Sequence, residues 1–237
     1  MNNFSYNTEF FLFTSAIAVS ILGFLCYYYV PGLYIGKRKH KAQEGKPLWV
    51  LCQRLWGFFI LGCLPLVIIF LLGTKNLSYF GVGPPKMESY FWTIVLSMVI
   101  VPMNYFISGT KENQKMYPQI REIEWSVGLI VQSALSWMLY LFSYEFLFRG
   151  FLFFASLPVL GLSMAIVLNT IIYALAHLPK GYKETIGSVP LGILLCYLTF
   201  TTGSIWVAVF SHIVLALSNE WFSLHAHPQM VIKRNWQ

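Results

Sequence analysis

The chain has 237 residues, 57% of them hydrophobic and only 11% charged, with a mean hydropathy of +0.62. A soluble domain of this size carries about 25% charged residues, so the composition excludes an ordinary soluble enzyme and indicates an all-α, polytopic membrane protein. The formal charge of +7 does not indicate nucleic acid, because the basic residues lie mostly between apolar runs and leave no basic stripe for phosphates.

The N-terminal "MNNFSYNTEF" has no basic region and leads into an apolar run longer than a signal peptide needs, so it reads as a retained first span. Apolar runs of spanning length predict helices at 10–35, 49–72, 90–107, 125–156, 160–177, 187–200 and 204–220. This is a bundle of about seven spans, or eight if the fourth divides. The fourth would reach about 48 Å as one helix, so it either tilts and protrudes or splits into an interfacial piece and a span. Cys26, Cys52, Cys63 and Cys196 lack metal-ligand or CxxC spacing, which argues against a disulfide framework or a structural zinc site.

Lysine and arginine set the orientation. Segment 36–46, the 108–124 loop, the 178–186 loop and the C-terminal tail together carry twelve, against Lys75 and Lys86 on the other side. The C-terminus is therefore expected in the cytoplasm and the N-terminus outside. The expected setting is the inner membrane of a bacterial cell.

The fourth span contains "SYEFLFRGFLF" (143–153), with Glu145 and Arg149 four residues apart on one helical face. An ionisable residue inside a span costs about 2.5–3.5 kcal/mol on insertion scales and marks a candidate functional site. Taken alone, a structural pair that locks helix packing is as good a reading. Two histidines shift the balance. Asn169, Tyr173 and His177 recur every four residues in "NTIIYALAHLPKG", and His212 and Asn219 lie two turns apart in "SIWVAVFSHIVLALSNEW". Counted from a turn near Pro158, Glu145 and His177 lie about 20 and 27 Å along antiparallel helices, so they fall at similar depth, with His212 somewhat higher. A carboxylate beside imidazoles, screened from bulk water, suits activation of water against an amide carbonyl, with neighbouring donors for the oxyanion. H-E-x-x-H is absent, so a zincin site has no support.

These three segments resemble the motifs of the CAAX prenyl endopeptidase and bacteriocin-processing (CPBP, or Abi) family of intramembrane proteases. The resemblance covers about 125–220 and implies three divisions: N-terminal transmembrane helices and loops at 1–124, a family-like core at 125–220 and a C-terminal tail at 221–237. The usual first motif is E-E-x-x-x-R, whose first glutamate is catalytic in the prenyl endopeptidases. The later motifs are aromatic-x-x-x-His and His-x-x-x-Asn/Asp. Here Tyr144 stands at the first glutamate position and Ala216 at the last Asn/Asp position, with Asn219 one turn on. The pattern is similar to a single-glutamate E-F-F-F-R-G form found in some branches of the family.

The resemblance implies an endopeptidase acting on a membrane-associated peptide or protein within the lipid bilayer, with no nucleic-acid partner. Glu145 would be the general base, His177 its helper, His212 and Asn219 oxyanion donors, and Arg149 the group that holds the glutamate. Tyr144, Asn169 and Tyr173 would line the substrate site. Glu145, His177 and His212 supply a zinc donor set in kind, and a water held without metal is equally consistent. One rival reading is a catalytically inactive relative that binds membrane peptides or serves as an immunity or assembly factor. Another is a proton-coupled transporter relaying through Glu145 and His177.

Overall fold

In a bilayer every backbone N–H and C=O needs a partner within the protein, so runs this apolar are stable there only as helices. The computed structural model describes residues 3–35, 43–73 and 75–233. Helix α1 spans Asn3–Ile35, and α2 spans Pro47–Leu72 with a π-helical turn at Phe59–Cys63. Helix α3 is Met87–Ser108 and the short α4 is Lys111–Met116. Helix α5, Val127–Glu145, runs through a π-helical segment at Phe146–Leu152 into α6, Phe153–His177. Helices α7, Tyr182–Thr202, and α8, Trp206–Ala226, complete the bundle. Strands β1, Glu124–Ser126, and β2, Val231–Lys233, form a small parallel pair.

Six of these stretches are long and apolar enough to cross a membrane. The fourth, Val127–Lys180, has 54 residues and would reach about 81 Å as one rod. It folds back on itself at Gly161, whose φ of 71° and ψ of 171° suit glycine and little else. The turn therefore lies three residues beyond Pro158, which stays inside the helix. The two arms are antiparallel, because Asn169 Nδ2 donates to the Phe148 carbonyl at 2.7 Å and Tyr144 Oη lies 3.4 Å from His177 Nδ1. The hairpin gives seven passes among the described residues. The predicted fourth span, 125–156, is one continuous helix from Val127 that changes winding at its motif, and no interfacial piece splits from it.

The ends sort as the charge count requires. Arg121 N donates to Gly45 O at 2.7 Å, and β1 pairs with β2, so the second loop, the end of the first and the C-terminal strand share one end. Burial, followed by the carboxylates of Glu184 and Glu220, pushes the Tyr117 phenol above its ordinary range, which brings the 178–186 loop to the same end. Most of the basic 36–46 segment lies outside the described residues. At the opposite end Lys75 lies 3.8 Å from Glu9, and Lys86 Nζ donates to Thr202 O at 2.7 Å. Burial, and then the Glu9 carboxylate, raise the Tyr79 phenol above its ordinary value there.

Two boundaries differ from the sequence reading. Helix α8 continues to Ala226, past the expected tail boundary at 221, because Ser223 and Leu224 still bury against the bundle. It stops at His227, which precedes Pro228 and takes extended dihedrals, as a residue before proline should. Helix α7 begins at Tyr182, five residues before the apolar run.

The core that positions the motif is aromatic. Phe80, Phe146, Phe148, Phe151 and Tyr173 are all buried around the α5–α6 hairpin. Gly150 permits the closest approach, since a Cβ there would meet Phe146 Cδ2 at 2.9 Å and Phe80 O at 3.2 Å. The Leu77–Phe80 turn thus packs directly onto the motif helix from the end opposite β1 and β2.

Candidate active site

Glu145 and Arg149 are both 0% exposed. Arg149 Nη1 lies 3.2 Å from Glu145 Oε2, the i,i+4 ion pair expected from the spacing. The other carboxylate oxygen, Oε1, lies 2.5 Å from His212 Nδ1 on α8. A carboxylate oxygen accepts, so His212 Nδ1 carries the proton and Nε2 is left as the basic edge. The guanidinium also stacks over the Tyr173 ring, 4.0 Å from its centroid. Arg149 is therefore fixed by charge on one side and by a π face on the other.

His177 is held differently. Its Nδ1 lies 2.9 Å from the Tyr173 carbonyl one turn back, and that carbonyl can only accept. The proton sits on Nδ1, and Nε2 is again the free basic edge. The ring packs on Tyr173 at 4.6 Å. His177 and His212 are 7% and 8% exposed, and neither Nε2 is among the sealed, unpartnered side-chain atoms. Both basic edges stay accessible.

Tyr144 fills the space between the two histidines. Its ring meets His212 edge-on at 5.4 Å and His177 edge-on at 6.2 Å. Phe24, Phe148, Tyr140 and Tyr173 hold the ring from its other sides. The position occupied by a glutamate in the resembling family is thus the centre of the cluster, and here it carries a phenol.

Two residues expected in the site lie elsewhere. Asn219 accepts from Asn113 Nδ2 at 3.0 Å and from Ser223 Oγ at 3.3 Å. Seven residues along α8 place it about 10.5 Å from His212 toward the basic end. Asn169 is fully buried with both ends of its amide engaged, Nδ2 on Phe148 O and Oδ1 accepting from Cys196 Sγ at 3.2 Å. The π-helical turn explains the first bond. Phe148 O accepts an i+5 bond from Phe153 N, and Asn169 takes its second lone pair. Asn169 therefore holds the hairpin, where a substrate-lining role was expected, and Tyr173 fixes Arg149 and His177.

A second buried ion pair escaped the sequence reading. Arg54 on α2 and Glu220 on α8 are 2% and 0% exposed and lie 3.2 Å apart. Every group here is saturated. Glu220 accepts from Ser133 Oγ and from Trp137 Nε1 at 2.7 Å, and Arg54 donates to Ser133, Ser136 and Gln119 while stacking 4.0 Å over Trp137. The signal was available, since "CQRLW" and "SNEWF" each put one charge inside an apolar span. The contrast with the motif is informative. At the motif, Arg149 Nε, Nη1 and Nη2 and Glu145 Oε2 have no hydrogen-bond partner among the described residues, and the two side chains meet only as an ion pair. A saturated pair serves packing, and an unsaturated one is a candidate for chemistry.

The donors do not form a zinc site. The Glu145 carboxylate is taken up by His212 Nδ1 and Arg149, which leaves two imidazole Nε2 atoms without a third donor, and no group of three His, Cys, Asp or Glu side chains suited to a metal occurs among the described residues.

Residues 116–218 match the model of a family described as type II CAAX prenyl endopeptidase Rce1-like. Glu145, Arg149, His177 and His212 lie within the match, and Asn219 lies just beyond its end. No curated protein and no solved structure matches the chain significantly.

Proposed function

We propose, for a chain whose residues 116–218 match the Rce1-like CAAX endopeptidase family model, that this integral membrane protein hydrolyses peptide bonds of membrane-anchored peptides. The observation that carries this reading is the Glu145–His212 hydrogen bond, a carboxylate–imidazole dyad buried beside a second imidazole whose basic edge is open.

Glu145 Oε1 holds His212 Nδ1–H and Oε2 is ion-paired with Arg149, so proton acceptance passes from the carboxylate to His212 Nε2. Glu145 fixes the tautomer and stabilises the imidazolium as it forms, as the carboxylate does in hydrolytic triads. His177 Nε2 accepts the second hydrogen of the same water and aims its lone pair. The water oxygen adds to the amide carbonyl carbon, and one proton moves to His212 Nε2. The C–N bond then breaks as His212 returns that proton to the leaving amine. The products are a carboxylic acid and an amine, between which a proton then passes to give carboxylate and ammonium, and the dyad is restored. Arg149 balances the carboxylate charge and ties it to the α5–α6 hairpin.

The family description makes a prenylated C-terminal peptide the first probe. The lysine and arginine distribution supports a cytoplasmic C-terminus, and a bacterial inner membrane is the proposed setting. The reaction is tested with a farnesylated peptide ending in a Cys-a-a-X sequence, incubated with the protein in lipid nanodiscs in H₂¹⁸O. One ¹⁸O in the new carboxylate is expected, and an intact peptide after prolonged incubation contradicts the reading.

Tyr144 favours a second reading, a relative that binds such peptides without cleaving them, since no carboxylate stands between the histidines. Tyr144→Glu separates the two: it creates cleavage in an inert binder and lowers it in a working enzyme built on the dyad.

A further inference from the structure

The proposed chemistry leaves one requirement unmet. Both imidazoles present Nε2 as acceptors, and Asn219 lies two turns away, so no residue yet assigned donates to the oxyanion of the tetrahedral intermediate. The Tyr144 hydroxyl has a proton to give. Its sole hydrogen-bond neighbour among the described residues is His177 Nδ1 at 3.4 Å. That nitrogen already donates to the Tyr173 carbonyl at 2.9 Å and has no lone pair left to accept with. Tyr144 Oη can therefore only accept from His177, and its own hydrogen is unspent. The residue is 4% exposed. A buried hydroxyl proton without an acceptor is destabilising, and a merely structural tyrosine would relieve this by turning its hydroxyl or by being phenylalanine.

The ring is also immobile. Phe148 at 4.9 Å, Phe24 at 5.5 Å and Tyr173 at 5.8 Å enclose it, and the two imidazoles close the remaining side. A donor held in place before reaction, at low dielectric and beside the base, is what oxyanion stabilisation requires, because nothing has to reorganise as charge develops.

We propose that Tyr144 is a catalytic residue whose phenol O–H donates to the peptide oxyanion. The tyrosine then exchanges roles with the glutamate expected at that position. The dyad supplies the base, and residue 144 supplies the electrophilic donor. This inference rests on the endopeptidase reading, and its test separates the two.

Tyr144→Phe removes the hydroxyl and keeps the ring. For cleavage of the farnesylated peptide, kcat is expected to fall about 10²–10³-fold with KM unchanged, the signature of a contact made only in the transition state. A second measurement does not need turnover. A phosphinate isostere of the peptide, which mimics the tetrahedral oxyanion, should bind the wild type at least about 100-fold more tightly than Tyr144→Phe. A reduced-amide isostere, which lacks the oxygen, should bind both equally. Wild-type cleavage that Tyr144→Phe leaves unchanged overturns the role of Tyr144 and spares the peptidase. A wild type that neither cleaves nor prefers the phosphinate overturns both.

Discussion

Glu145 Oε1 and His212 Nδ1 lie 2.5 Å apart, although 67 residues separate them in the chain. The contact joins the α5–α6 hairpin to α8 at the point where the first and third motifs meet. It also decides the division of labour. A carboxylate held by a guanidinium on one oxygen and an imidazole on the other orients and balances, while the imidazole's far nitrogen faces the reaction.

Arg149 tests the supporting half of that arrangement. Leaving a buried charge unpaired costs about 3–5 kcal/mol, so Arg149→Ala is expected to unfold at markedly lower denaturant concentration. Arg149→Lys should recover only part of the loss, since an ammonium cannot both meet Glu145 Oε2 and stack on Tyr173. Unfolding curves in mild detergent measure both. A lysine variant as stable as the wild type would mean that the planar contact contributes nothing.

The Arg54–Glu220 pair is expected to matter for stability alone. Glu220→Ala leaves Arg54, Trp137 and Ser133 without their shared acceptor and should cost about 3–5 kcal/mol. Arg54→Met combined with Glu220→Leu removes both charges together and should restore much of that loss. Residual cleavage per folded molecule should match the wild type in each variant. A selective fall in kcat would make this pair part of the reaction.

Topology has its own check. In a cysteine-free background, single cysteines at Lys115 and Lys233 should label from the same side of the membrane, and one at Lys75 from the other. Labelling of Lys115 and Lys233 from opposite faces contradicts the parallel pairing of β1 with β2.

The sequence announced the helical bundle and the hairpin, because spacing and depth along helices are periodic and can be counted; it set Glu145 level with His177 and His212 somewhat higher, whereas in the structure it is His212 that meets the carboxylate. It misplaced Asn219 and Asn169 for the same reason. Shared faces showed which way these side chains leave the helix but not which neighbour takes their hydrogen bonds. The π-helical turn at Phe146–Leu152 was not legible either, since it arises from packing around Gly150 and the Phe148 carbonyl and carries no motif of its own. Arg54 and Glu220 were visible as charges within apolar spans, yet 166 residues separate them, and no local pattern pairs them. Tyr144 read as a lost glutamate, and its proposed role as a donor emerges only from the proton count around His177.

The most direct measurement is kcat for Glu145→Gln on the farnesylated Cys-a-a-X peptide in nanodiscs, beside the wild type and with folding verified by its unfolding midpoint. Glutamine preserves the shape but offers His212 Nδ1 either a neutral oxygen or a competing N–H, so the imidazole loses both its tautomer control and its countercharge. The account predicts measurable wild-type cleavage and a loss of about 10²–10⁴-fold in the folded variant. Equal rates in the two proteins, or no cleavage by the wild type, would contradict it.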